Sequence, residues 1–185
     1  MREAAAKAAK LIEPGMRVGL GTGRTVAYLL TALGDRRLIG LRCVATSPDT
    51  EEAARTLGLP IEPFDDLDRL DIAGDGADQV TDDHWAIKGG HGAHLREKIV
   101  AAAADRFVVI VSADKMVKAL RPPIPLELRP FGLQATLRAL QHAALRADAP
   151  TTPDGGVLAD YRGPFADSAA LALQLDQVPG LAAHG

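Results

Sequence analysis

Apolar positions along this chain fall into short runs of strand length separated by stretches with helical spacing. Residues 2–12 combine Ala, Lys and Glu with Leu11 and Ile12 on one side, and Pro14 and Gly15 end the pattern. A strand is predicted over 16–20, a helix over 26–33 and a short strand over 41–45, together a first βαβ unit. Ser47 opens a helix that runs to Leu57, with Glu51 and Glu52 in its first turn and Gly58 as its stop. Strand, helix and strand then alternate through Ile72, Ala86 and Phe107. This alternation predicts an α/β fold, an open, mostly parallel, Rossmann-like sheet with helices on both faces.

The texture changes after Pro122, Pro123 and Pro125. LELRPF is strand-like, 133–145 is helical, and PTTPDGGVLADYRG is predicted to be a hairpin turning at Asp154 and Gly155. The expected division is an α/β domain over 1–122 and a small α+β lobe over 123–185. A chain of 185 residues has room for one well-buried core and a small second lobe.

Charge removes some partners from consideration. The formal net charge is -3, with acidic and basic residues interspersed. No basic stripe offers itself to a nucleic-acid backbone. The longest apolar runs, such as FVVIV, fall far short of the ~20 residues of a membrane span, so no membrane partner is expected. EAAAKAAKLI at the amino terminus lacks the pattern of a secretory leader, and a cytoplasmic location is the expectation. Cys43 is the single cysteine and is expected to be a small buried strand residue.

Candidate chemistry gathers where strands run into polar or glycine-rich corners. In open α/β sheets ligands bind beyond the carboxyl ends of the strands, so several such corners imply one shared site for a small phosphorylated substrate. The first corner, GLGTGRT, has glycines that let successive N–H groups face an anion ahead of a helix. It is neither a dinucleotide fingerprint nor a Walker loop, and taken alone it is equally a tight turn. In the second corner, ATSPDTEEA, capping accounts for Thr46, Ser47 and Thr50.

The third corner places Asp75 and Asp78 three residues apart across Gly76 and Ala77. Two crowded carboxylates suit acid–base work, an Asx turn or cap is the plainer alternative, and no further carboxylate supports a metal site. In the fourth corner Lys88, Gly89, Gly90, His91 and Gly92 precede a helix carrying Glu97. Lysine beside glycine backbone suits an oxyanion, and Glu97 is either a general base or a surface residue between Arg96 and Lys98. His91 and His94 lack a metal-binding pattern and are expected to be loop and helix-surface residues. The fifth strand delivers Asp114 and Lys115 to the same sheet edge, where Lys115 could complete an anion site.

Taken in order, GLGTGRT, ATSPDT, DIAGDGADQV, AIKGGHGAHLREKIV and VIVSADKMV resemble the ribose-5-phosphate isomerase A family over residues 12–131, with a weaker match at PDGGVLAD and QVPG. The resemblance implies an aldose–ketose isomerase without cofactor or metal, interconverting D-ribose 5-phosphate and D-ribulose 5-phosphate through an enediolate. It implies that Glu97 moves the proton, and that Lys88 with the Gly89 and Gly90 backbone stabilises the oxyanion. It further implies that Asp75 and Asp78 hold sugar hydroxyls and assist ring opening, with Gly76, Ala77 and His91 lining the site. Thr22, Gly23, Arg24, Thr25 and Lys115 would hold the substrate, largely by its phosphate. A homodimer or homotetramer is also implied.

Three positions depart from the family pattern. Arg24 replaces a serine, Gln79 an acidic residue, and His91 a glycine whose backbone freedom a side chain could forbid. Family members also continue into a further strand after VPGLAAHG, so an exposed edge on the main sheet is expected. The alternatives are a divergent, non-catalytic sugar-phosphate binder and a CoA-transferase-like enzyme of related fold.

Overall fold

The computed structural model describes residues 1–185. In chain order the first elements are α1 (Arg2–Ala9), β1 (Arg17–Leu20), α2 (Arg24–Arg36), β2 (Arg42–Ala45), α3 (Pro48–Thr56), β3 (Ile72–Gly76), β4 (Gln79–Val80), β5 (Ala86–Ile87) and α4 (His94–Ala102). There follow β6 (Phe107–Ile110), β7 (Ile124–Leu128), α5 (Leu133–Leu140), β8 (Ala143–Leu145), β9 (Val157–Tyr161), α6 (Ser168–Asp176) and β10 (Leu181–His184). They form two compact units, Met1–Gly76 with Arg96–Ala113, and Ala77–Leu95 with Asp114–Gly185. This differs from a cut after residue 122, because 77–95 and 114–122 group with the carboxyl-terminal residues. No helix is long and apolar enough to cross a membrane.

The first unit holds a four-stranded parallel sheet in the order β2-β1-β3-β6. Alternate residues of a strand face opposite sides, and here both sides are buried. Val18, Leu20, Cys43 and Ile72 join Leu29, Leu30 and Leu33 of α2 and Ala5 and Ala9 of α1 in one cluster. Val44 and Ala73 join Leu67, Leu70 and Val100 of α4 in another. The expected parallel sheet with helices on its faces is therefore present. Cys43 is fully buried in β2, and burial pushes its thiol up to about 12, so it stays protonated.

Ser47 caps α3 as expected, its Oγ accepting from the Thr50 N–H at 3.3 Å with Pro48 as first helical residue. The end of α1 is held from elsewhere, because Arg36 donates to Ala9 O, its last carbonyl, and to Ile12 O in the turn that follows. The outer side of β2 is joined by a parallel bridge from Cys43 to Ile61, whereas β6 ends the ladder.

The second unit holds an antiparallel sheet in the order β10-β7-β9-β8 and the hairpin β4–β5. Ile124, Leu126 and Leu128 alternate onto a core with Ile87, Leu140, Tyr161, Leu171 and Leu175. Three expectations are corrected here. Ala86 lies in an antiparallel hairpin and not in the parallel sheet, its partner β4 being bridged from Val80 to Met116. The helix expected over 133–145 stops at Leu140, because Gln141 turns with a left-handed φ of 55° and Ala143–Leu145 pairs with β9. Asp154 and Gly155 do lie in a turn, but the strand before it is β8, which ends at Leu145 and not inside PTTPDGG.

One ion pair joins the starts of β1 and β3. Asp71 Oδ2 accepts from the Arg17 backbone N–H at 2.7 Å, and the Arg17 guanidinium donates to both carboxylate oxygens at 3.1 and 3.3 Å. Those bonds hold the Asp71 carboxyl below its ordinary range. A carboxylate depressed in the folded state stabilises the fold above its unfolded pKa of about 3.9 and loses that contribution as the pH falls through the folded value. Asp71→Asn is thus expected to lower the melting temperature at pH 7, with the gap to the unsubstituted chain closing below about pH 4. Thermal melts of both chains across that range check this; a gap independent of pH would contradict it.

Candidate functional site

The order β2-β1-β3 contains a reversal. From β1 the chain crosses through α2 to β2 on one side, then returns through α3 to β3 on the other. The carboxyl ends of β1 and β3 therefore form a topological switch point, the place where open α/β sheets bind ligands. At the end of β1 lies the loop 21–25, and at the end of β3 lies Asp75.

These two ends are bonded to one another. Gly21 N–H donates to Gly74 O at 3.0 Å, while Asp75 Oδ1 accepts from Thr22 N–H at 3.3 Å and from Gly76 N–H at 2.7 Å. Asp75 is only 4% exposed, and its carboxylate fills the space beside Gly21. A Cβ on Gly21 would stand 2.0 Å from the Asp75 Cγ. Gly23 then caps α2 with a φ of 107°, a left-handed value that favours glycine, and exposed Arg24 starts the helix. The loop thus presents the N-terminal N–H groups of a 13-residue helix beside a cation, a setting suited to phosphate.

Thr46, Ser47 and Thr50 do more than cap. Thr50 Oγ1 donates to Gly21 O at 2.9 Å, Ser47 Oγ donates to Thr50 Oγ1 at 3.1 Å, and the Thr46 and Thr22 hydroxyls lie 2.8 Å apart. All three residues are buried. They brace the loop from β2, a role that capping alone did not reveal.

Glu97, in the same unit, is the fourth residue of α4 and only 4% exposed, so the surface reading does not hold. Burying a carboxylate is costly, and such a residue in the first turn of a helix is more suited to chemistry than to solubility.

The second unit carries the remaining candidates. Asp78 N–H donates to Ile87 O at 2.7 Å, fixing Asp78 to the β5 strand that leads into the glycine loop. Its carboxylate lies against Gly90, with Oδ2 3.2 Å from where a Cβ would be. Lys88 is half-buried and donates its backbone N–H to Gly185 O. Gly89 and Gly92 have φ of 95° and 83°, whereas exposed His91 has no left-handed φ. The concern that a side chain at His91 forbids the loop's conformation is therefore removed: the positions that need glycine still have it.

His94, expected on the helix surface, is 3% exposed, because Gly89 leaves room for its ring. Gln79 also finds a role. Its amide donates to Arg121 O at 2.8 Å and accepts from Arg121 N–H at 2.9 Å, a two-way contact that an acidic side chain could not make. Lys115 is half-buried in a 3-10 turn at Ala113–Lys115. Ala77 and Gly76 are half-buried at the point where the chain leaves the first unit.

Candidate residues thus divide into two groups. Thr22, Gly23, Arg24, Thr25, Asp75, Gly76 and Glu97 belong to the first unit, and Ala77, Asp78, Lys88, Gly89, Gly90, His91 and Lys115 to the second. The chain passes between the units after residues 76, 95 and 113.

Comparison with known proteins agrees with these motifs. Residues 42–185 match the model of the family described as ribose 5-phosphate isomerase A (phosphoriboisomerase A). A ribose-5-phosphate isomerase A of Nitrobacter hamburgensis is 43% identical over 202 residues, spanning 100% of this chain and 87% of that protein. Among solved structures, ribose 5-phosphate isomerase A of Methanocaldococcus jannaschii superposes with a TM-score of 0.93 at 33% identity, covering 100% of this chain and 88% of the other. A D-ribose-5-phosphate isomerase in complex with phospho-erythronic acid gives 0.92 at 33% identity, again covering 100% and 88%. Motifs, switch-point geometry and full-length similarity agree: the chain belongs to the ribose-5-phosphate isomerase A family.

Proposed function

We propose that this chain interconverts D-ribose 5-phosphate and D-ribulose 5-phosphate, with Glu97 as base and Lys88 as the principal partner of the oxyanion. The observation that carries this reading is the bracing of the 21–25 loop against Asp75 at the switch point, in a chain that also retains a buried Glu97.

In the open-chain aldose, the Glu97 carboxylate takes the proton from C2 as the C1–O1 double bond opens. Negative charge then collects on O1, where the Lys88 ammonium and the N–H groups of the glycine loop stabilise it. Glu97, whose proton exchanges with solvent while the enediolate is bound, delivers a proton to C1, a proton passes from O2 to O1, and the ketone forms at C2. No electron acceptor is required, and no atom is lost. Asp75 and Asp78 hold hydroxyls and assist ring opening, while the 21–25 loop, Arg24 and Lys115 hold the phosphate. Gly76, Ala77 and His91 complete the lining. The reaction needs no cofactor or metal, and the resemblance supports a homodimer or homotetramer working in the cytoplasm.

Purified protein is expected to convert ribose 5-phosphate in the presence of EDTA. Glu97→Gln should lower kcat by about 10² to 10⁴, and Lys88→Met by about 10² or more, with KM changed far less. Turnover that disappears in EDTA and returns with Mg²⁺ would overturn the metal-free step, and an unimpaired Glu97→Gln would remove the base. A separate expectation concerns Gly21→Ala, whose added methyl displaces the Asp75 carboxylate. It should cost on the order of 10² in kcat/KM while the far-ultraviolet circular dichroism is retained. Full activity in this variant would show that the position of Asp75 is unimportant.

A further inference from the structure

Arg146 lies just after β8, where its N–H donates to Leu158 O at 3.0 Å. Its guanidinium serves two acceptors within the second unit. Nε and Nη2 donate to Asp160 Oδ1 at 2.9 and 2.7 Å, and Nη1 donates to the carbonyl of Gly90 at 3.1 Å. The two side chains are only 19% and 13% exposed. Asp160 sits inside the sheet, opposite Pro125 of β7 and Ala144 of β8. The ion pair is therefore anchored to the sheet, and its remaining donor reaches the glycine loop.

That third contact sets the pair apart from an ordinary surface salt bridge, which contributes little. In a planar trans peptide the carbonyl and the N–H of the next residue point in opposite directions. Holding the Gly90 carbonyl on Arg146 consequently points the His91 N–H in the opposite direction, away from Arg146. Glycine at 90 leaves this peptide free to rotate unless something outside the loop restrains it. The side chain of Asp78 lies against the Gly90 Cα, so the loop is confined by one carboxylate and oriented by one guanidinium.

We infer that Arg146, held by Asp160, is a positioning residue that aims the His91 N–H at the oxyanion formed during isomerisation. The inference rests on the isomerase reading given above. It also explains how the loop accepts a histidine in place of glycine: the group put to use is the backbone N–H, which both residues possess.

The test compares Arg146→Met, Arg146→Lys and Asp160→Asn with the unsubstituted chain and with Glu97→Gln. Arg146→Met is expected to lower kcat about 10- to 100-fold with KM within about threefold, as misplacement of a transition-state contact requires. Its affinity for phospho-erythronic acid should fall, while that for inorganic phosphate stays unchanged. Arg146→Lys reaches only one of the two acceptors and should fall between, as should Asp160→Asn. If Arg146→Met does not fold, these two milder variants decide on the same readouts. A lowered melting temperature with kcat per folded molecule unchanged would overturn the inference, as would an equal loss of affinity for both ligands.

A chain that folds but does not isomerise ribose 5-phosphate would sink the isomerase reading itself. The positioning claim is then decided by the His91 amide proton resonance, which phospho-erythronic acid should shift in the unsubstituted chain and not in Arg146→Met. The same shift in both, or in neither, would overturn it.

Discussion

The Asp75 carboxylate occupies the space that Gly21 leaves empty, and the arrangement of the loop after β1 and the end of β3 depends on that fit. Its Oδ1 gathers N–H groups from Thr22 and Gly76, so the loop after β1 and the end of β3 are held together by one acidic side chain. A buried carboxylate is tolerable only where donors meet it, and two of the donors here are backbone groups that cannot be mutated away. Two residues on, Gly23 supplies the left-handed φ with which the chain turns into α2. Loop shape and acid position are thus consequences of one close approach at the switch point.

Support comes from behind as well as from the side. The Ser47 to Thr50 to Gly21 hydroxyl relay bonds the loop to the start of α3, so two helix starts are joined through one carbonyl. In the second unit the glycine loop is restrained in a different way, by glycines at the left-handed positions, by the His94 ring in the space beside Gly89, and by Arg146 on the Gly90 carbonyl. Each restraint acts on backbone, which is what the proposed oxyanion role of the loop's N–H groups requires.

Much of this was legible in the sequence where local rules act alone. The Ser47 cap, the strands at 16–20 and 41–45, buried Cys43 and the acidic and glycine-rich corners all follow from short-range patterns. What escaped the sequence depends on partners far along the chain. Ala143–Leu145 continues a helical pattern and becomes a strand only because β9 offers it a ladder. The β4–β5 hairpin has too few residues to reveal its antiparallel pairing, and its attachment to residues after 113 separates it from the parallel sheet. His94 looks like a surface histidine until the missing side chain of Gly89 is placed beside it. The bonds of Gln79 to Arg121 and of Arg146 to Gly90 span 42 and 56 residues, a separation that no local pattern records.

In the proposed isomerisation hydrogen moves between C1 and C2 as a proton, carried by a carboxylate through an enediolate. Isomerisation run in D₂O, with the C1 and C2 positions followed by NMR, tests it most directly. Deuterium from solvent is expected at C1 of ribulose 5-phosphate and at C2 of recovered ribose 5-phosphate, because a carboxylic acid exchanges its proton during the lifetime of the intermediate. Ribulose 5-phosphate formed with all of its original hydrogen, and none from the solvent, would contradict it.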